Sequence, residues 1–208
     1  MATERERLTE GASQLGVDLD EATVEGLIRL LDLLEKWNRA YNLTAVRDRS
    51  TMLSRHLLDS LSLVPLVSAP AVADLGAGGG FPGLVLALHS PQRQVTLIDS
   101  NSKKTRFMTQ CRLELGLDNI EVVHQRVENH HPEAPYAQIT SRAFTSLASM
   151  VDLAGHLLAP DGEFLAMKGP EAPQEMAELP ALWQVVEDRA VAVPENDAER
   201  RLLRVRRA

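Results

Sequence analysis

The sequence predicts an α/β fold: a mostly parallel, seven-stranded sheet with helices on both faces, finished by an antiparallel hairpin and preceded by a helical extension. Three observations predict it. From Ala71 onward, short apolar runs alternate with helical patterns at the spacing of strand–helix–strand units. The first apolar run enters a glycine-rich turn, Gly76-Ala77-Gly78-Gly79-Gly80-Phe81-Pro82-Gly83, that opens a helix. Near the C-terminus, two strand-like segments flank the turn-rich Pro194-Glu195-Asn196-Asp197.

In chain order, Asp18 or Asp20 caps a helix whose apolar positions Val24, Leu27, Ile28, Leu31, Leu34 and Trp37 keep the helical period through Tyr41. A second helix is expected from Met52 to Leu66, ending near Pro65. Strand Ala71–Leu75, helix Gly83–His89, strand Gln94–Asp99, helix Lys103–Leu115 and strand Ile120–Val123 follow. Then come strand Ala137–Ser141, helix Leu147–Leu158, strand Glu163–Met167 and the hairpin of Trp183–Val193 with Arg201–Arg206. No linker divides the chain, so residues 1–68 are expected as a helical extension packed on a unit of residues 69–208.

With 208 residues and 44% hydrophobic content, the chain can bury a sizeable core. It shows no bilayer-length apolar run, and its charged start is unlike a secretion signal, so a cytoplasmic protein without a membrane partner is expected. The single cysteine, Cys111, excludes an internal disulfide and reads as a packed thiol. A net charge of −7 looks unfavourable for nucleic-acid binding, yet local density decides. Basic residues cluster at Arg47, Arg49 and Arg55, at Lys103, Lys104 and Arg106, and at Arg200, Arg201, Arg204, Arg206 and Arg207. The C-terminal cluster is the densest.

The glycine turn marks a cofactor site, because glycines take positive φ and admit a ligand close to the backbone. The helix start beyond it would attract a carboxylate or phosphate. Gly78 to Gly83 also satisfies the spacing of dinucleotide-binding turns, but there the first glycine directly follows the strand. Here Asp74 lies inside the strand end, and the order Asp-x-Gly-x-Gly-x-Gly resembles the S-adenosyl-L-methionine turn of Rossmann-like class I methyltransferases. Asp99, ending the second strand, would accept hydrogen bonds from ribose hydroxyls. Val127 and Glu128 would border the adenine, and Asp74 would lie near the methionine end or cap adjoining backbone.

Absences narrow the acceptor. The place where exocyclic-amine methyltransferases carry an Asn/Asp-Pro-Pro-aromatic turn reads Ser141-Arg142-Ala143-Phe144. Cys111 lies in the wrong element to attack a pyrimidine ring, and His130-His131 reads as a solvated loop pair, so no metal site is expected. An acceptor that is already a nucleophile, such as guanine N7, fits: it needs alignment rather than a base. Arg142 and Lys168 could bind its O6 edge or a phosphate.

Trp37-Asn38-Arg39-Ala40-Tyr41-Asn42-Leu43-Thr44, Arg55-His56-Leu57-Leu58-Asp59-Ser60, the glycine turn, Leu97-Ile98-Asp99-Ser100, Ser141-Arg142-Ala143-Phe144 and Lys168-Gly169 occur in that order. Together they resemble the bacterial small-subunit (16S) ribosomal RNA guanine-N7 methyltransferase family, RsmG or glucose-inhibited division protein B. The resemblance implies an S-adenosyl-L-methionine site lined by Gly76, Gly78, Phe81, Asp99, Val127, Glu128 and Arg142. It implies that Asn42, His56, Asp59, Lys168 and Arg200 shape the guanine and RNA side. The implied substrate is a guanine in the decoding-region loop of 16S rRNA within the assembled small subunit, and the implied protein is a monomer with no DNA partner. Ala77 departs from the family's usual Ser or Thr.

Other readings stay open on the residues alone. His56 and Asp59, one turn apart, could simply bond each other and lock a helix against the sheet. A nicotinamide dehydrogenase would use the same glycines for pyrophosphate. A noncatalytic ribosome-assembly factor with a vestigial pocket would bind subunits without methyl transfer.

Overall fold

The computed structural model describes residues 2–208. Helix α1 (Glu4–Gln14) starts at a capping box in which Thr3 and Glu6 exchange side-chain and backbone bonds. Helix α2 (Glu21–Tyr41) is capped by Asp20, whose carboxylate accepts the Thr23 N–H at 2.7 Å. The helix expected over Met52–Leu66 is instead composite. Helix α3 (Arg49–Met52) widens into a π-helical segment, Leu53–Leu58, and tightens again as α4 (Asp59–Leu61) before a 3-10 turn at Val64–Leu66.

The remaining elements are β1 (Ala71–Leu75), α5 (Gly83–His89), β2 (Gln94–Asp99), α6 (Ser102–Leu115) and β3 (Ile120–His124). Beyond them lie β4 (Tyr136–Arg142), α7 (Leu147–Ala154), β5 (Leu158–Lys168), α8 (Ala172–Ala177), β6 (Trp183–Val191) and β7 (Arg200–Arg207). The seven strands form one sheet in the order β3-β2-β1-β4-β5-β7-β6. Pairings are parallel except β5 with β7 and β6 with β7, so the α/β class and the antiparallel end hairpin are as the sequence predicts. Helix α7 stops earlier than its apolar pattern suggests because the chain enters β5 at Leu158, where the pattern serves the sheet. The sequence reading missed α8.

Alternating strand residues feed two apolar layers, as the pleat requires. Val72, Val95, Leu97 and Leu165 pack with Leu8, Leu27, Leu34, Leu57 and Leu84 from α1, α2, the π-helical segment and α5. Ala73, Leu75, Ile98 and Phe164 pack on the other face with Leu147, Met150 and Val151 of α7. The helical extension is thus continuous with one layer of the core. Among the described residues no helix is long and apolar enough to cross a membrane. The strand order reverses between β1 and β4, which opens a crevice at their C-terminal ends where such sheets bind ligands.

Candidate functional site

Three loops converge on that crevice: the glycine turn after β1, the end of β2, and Arg142-Ala143-Phe144 after β4. A cleft of ≈ 270 Å³ is lined by Gly76, Ile98, Asp99, Val127, Glu128 and Phe144 among others. Gly76 takes φ 59°, and a Cβ there would lie 2.5 Å from the Phe144 ring, so both its conformation and the close approach require glycine. Ala143 adopts a left-handed φ of 50°, uncommon without glycine, in the turn that brings Phe144 to Gly76. The Asp99 carboxylate is buried and oriented by the chain itself: Oδ2 accepts the Gly78 N–H at 2.9 Å and Oδ1 the Asn101 N–H at 2.8 Å. Val127 forms an apolar wall. Glu128 is half-buried, and a bond to its own backbone amide together with Arg126 at 2.6 Å holds its carboxyl below the usual range.

The start of α5, expected to attract a ligand anion, already holds a carboxyl group of the chain. Asp74, fully buried, accepts the Gly83 N–H on Oδ2 at 2.8 Å and the Thr140 hydroxyl on Oδ1 at 3.2 Å. Asp74 is therefore the backbone cap of the two alternatives. Burial raises its carboxyl to about 7 against the bonds from Gly83 and Thr140. A Cβ at Gly83 would come within 2.1 Å of Leu97, so glycine there admits the helix to the sheet.

A second cleft, ≈ 170 Å³, adjoins the first across Gly76, Lys104 and Ala143 and reaches Thr44, His56, Gly78, Phe81 and Arg142. Its floor is a polar network around Arg142. Arg142 Nη1 donates to the Arg55 carbonyl at 2.8 Å and to Asp59 Oδ2 at 3.0 Å, while Nη2 lies 3.2 Å from His56 Nδ1. A guanidinium only donates, so His56 Nδ1 accepts. Its proton then sits on Nε2, facing Thr44 Oγ1 at 3.0 Å. Burial, reinforced by Arg142 and Arg55, lowers the imidazole to about 3, so His56 is neutral. Its ring stacks on Phe81 with centroids 5.0 Å apart, and Arg142 lies 5.5 Å over the same Phe81 ring. Asp59 has no exposed surface, and its Oδ1 accepts Arg200 Nε at 2.7 Å. His56 and Asp59 thus meet through Arg142 rather than bonding each other directly. The π-helical widening carries His56 to this floor.

The structure brings Gly76, Gly78, Phe81, Asp99, Val127, Glu128, Arg142 and His56 to the clefts, with Asp59 and Arg200 outside the lining and joined to it through Arg142. Asn42 and Lys168 line neither cleft. Asn42 is the exposed left-handed C-cap of α2 and accepts Arg47 Nη2 at 2.6 Å. The buried asparagine of that motif is Asn38, whose Oδ1 accepts the Thr44 N–H at 2.9 Å and whose Nδ2 donates to the Val46 carbonyl at 3.1 Å. Asn38 and Thr44 were missed as site-shaping residues; a polar residue on the apolar face of α2 was the available signal. Lys168 is buried, donating to the Thr145 carbonyl at 2.5 Å and pairing with Glu175 at 2.8 Å, which steadies the loop after β4.

Two other expectations change, and one holds. His130 is buried, its Nε2 3.2 Å from the Tyr136 hydroxyl, rather than solvated. Cys111 is buried and its thiol pushed up by burial, as a packed thiol should be. The C-terminal arginines are engaged internally. Arg204 and Arg206 both reach the buried Glu163, at 3.0 and 2.8 Å, Arg201 pairs with Asp188, and Arg207 donates to carbonyls around Gly155 and Ala159.

The family model described as rRNA small subunit methyltransferase G (GidB) matches residues 23–203. The ribosomal RNA small subunit methyltransferase G of Marinobacter nauticus is 53% identical over 97% of this chain and 94% of its own. That of Chromohalobacter salexigens is 52% identical over 97% of each chain. Among solved structures, the SAM-dependent methyltransferase from Thiobacillus denitrificans in complex with S-adenosyl-L-homocysteine has a TM-score of 0.55, 14% identity, and coverage of 86% of this chain and 98% of that one. At that identity the likeness is one of fold.

Proposed function

Because the chain belongs to the rRNA small subunit methyltransferase G family, we propose that it transfers a methyl group from S-adenosyl-L-methionine to N7 of a guanine in 16S rRNA. The target proposed is the decoding-region loop, presented in the small ribosomal subunit, with the protein acting in the cytoplasm as a monomer. The observation that carries the N7 reading is the engagement of every carboxylate and imidazole among the described residues lining the two clefts. Asp99 holds two backbone amides, Glu128 holds Arg126, and both His56 ring nitrogens have partners. In the smaller cleft His56 is the one imidazole or carboxylate among the described lining residues, and with both nitrogens engaged and its basicity lowered by burial it is a poor proton acceptor, which suits an acceptor that attacks with a lone pair it already has.

The residues present fit the cofactor. The larger cleft offers a pre-oriented carboxylate at Asp99 for vicinal hydroxyls, the apolar Val127 and Phe144 for a purine, and a turn at Gly76 and Gly78 that leaves room for close approach. Bound there, S-adenosyl-L-methionine supplies an electrophilic methyl carbon on a sulfonium. The protein's part is to align and to exclude water. Of its five N–H groups, Arg142 commits three to Asp59, Arg55 and His56, so Nε–H and one Nη2–H remain for a ligand in the smaller cleft. Asp59, Arg200 and His56 fix that guanidinium in place, and Lys168 supports the loop after β4 from behind. Asn42 would act from outside the clefts, by holding the exposed Arg47. In this reading residues 1–68 and 69–208 work as one body, since the extension supplies His56 and Asp59.

Incubation with methyl-labelled S-adenosyl-L-methionine and small subunits lacking the modification tests the proposal, with the product mapped by cleavage chemistry selective for N7-methylguanine. Label at a single guanine is expected. Tight subunit binding with no transfer would favour the noncatalytic assembly factor.

A further inference from the structure

The Trp37–Thr44 motif contains two aromatic residues that the clefts do not use. Helices α2 and α6 pack together, and along their seam Tyr41 is 46% exposed with its ring 5.1 Å from Trp37. Trp37 in turn lies 5.7 Å from the buried Phe107, so the pair is anchored at its inner end and open at its outer end. Hollows of ≈ 350 and ≈ 360 Å³ flank Trp37, one reaching Lys36 and Tyr41, the other Arg106 and His124.

The local charge balance on this seam is positive. Asp32 and Glu35 of α2 are already paired with Arg49 and Arg39, which leaves Lys36, exposed on the same helix, without a carboxylate partner among the described residues. The one carboxylate in the seam wall, Glu114, accepts Gln110 Nε2 at 2.8 Å. Arg106 is likewise exposed and forms no ion pair among the described residues. The seam and the smaller cleft are linked along α2, where Leu34, which lines that cleft, lies three and seven residues before Trp37 and Tyr41 on the same helix face.

An aromatic pair with its outer ring exposed, bordered by unpaired cations, is the surface that single-stranded nucleic acid uses, bases on the rings and phosphates on the charges. We infer that the α2–α6 seam binds an unpaired nucleotide of the rRNA next to the target guanine, stacking its base on Tyr41 and Trp37 with its phosphates toward Lys36 and Arg106. The inference rests on the proposed RNA substrate and extends it from the reacting base to its neighbour. A base-paired neighbour would present no open face to the rings.

Subunit binding by filter retention and methyl-transfer kinetics, measured on wild type, Tyr41→Ala, Tyr41→Trp and Lys36→Gln, test it. Tyr41→Ala is expected to weaken subunit binding and raise KM for subunits about tenfold. Its kcat and S-adenosyl-L-methionine affinity should stay unchanged, and Tyr41→Trp should restore the wild-type values. Lys36→Gln is expected to shrink the salt slope of binding by about 0.7, one phosphate on a single strand. Unchanged binding in both Tyr41→Ala and Lys36→Gln would overturn the inference. So would a photocrosslinker at position 41 that labels a ribosomal protein and no rRNA. If wild type binds subunits but transfers no methyl group, the functional reading fails, and the binding comparison still decides the seam.

Discussion

Asp59 and Arg200, 141 residues apart in sequence, meet at 2.7 Å around a carboxylate with no exposed surface. The other oxygen of Asp59 holds Arg142 at 3.0 Å, so one side chain ties the helical extension to the ends of β4 and β7. Breaking a buried pair from one side costs about 3–5 kcal/mol, because the remaining charges lose their counter-ion. Asp59→Asn is therefore expected to lower stability in urea by that amount and to depress methyl transfer further, since Arg142 loses its anchor. A loss below about 1 kcal/mol would mean that water already screens the pair.

The dependence of stability on pH should show two opposing contributions. Folded His56 stays neutral down to about pH 3, whereas an unfolded imidazole protonates near 6.5. Below 6.5 the unfolded state binds the extra proton, so this contribution falls as the pH drops toward 3. Asp74 has the opposite sign: its folded carboxyl titrates at about 7 and its unfolded one near 3.8. Between those values the folded state binds the extra proton, and stability falls as pH rises through 7. Wild type should therefore vary little between pH 4 and 6.5. His56→Gln should become steadily more stable as pH falls from 7 to 4, and Asp74→Asn should gain on wild type as pH rises from 4 to 7 and keep that advantage above it. Urea midpoints at three pH values separate these curves; parallel curves for wild type and Asp74→Asn would show Asp74 ionised throughout.

Arg204 and Arg206 share Glu163, which is buried and also accepts Gln138 Nε2 at 2.7 Å. Replacing both arginines with alanine is expected to destabilise the protein by about 3–5 kcal/mol. At a temperature where the variant stays folded, the salt slope of subunit binding should match wild type. A slope reduced by one or more units would instead place these arginines on phosphates.

Gly76→Ala combines a positive φ with a clash against Phe144. Either the turn or the ring must move, and both line the larger cleft. Calorimetric titration with S-adenosyl-L-methionine is expected to show affinity reduced at least about tenfold, roughly 1.4 kcal/mol, with the far-ultraviolet circular dichroism retained. Wild-type affinity in this variant would remove the Gly76 turn from the cofactor site.

Features written in contiguous residues were legible without coordinates. The β1, β2 and α5 boundaries follow from apolar periodicity and breakers, and the glycine turn with Asp99 announces a cleft, because strand alternation and positive φ are local properties. Features that depend on which distant groups meet were not. The C-terminal arginines looked like an RNA-binding surface until β5, β6 and β7 came into register and set Glu163, Glu187 and Asp188 opposite them. Whether His56 and Asp59 bond each other or shape a site was open on the sequence, and the π-helical segment with Arg142 decides that they meet only through the guanidinium. Asn42 and Asn38 differ by one helical turn, yet one faces solvent and the other the core. A charge's function rests on its nearest counter-charge and its distance from water, and both are set by pairings between segments far apart in the chain.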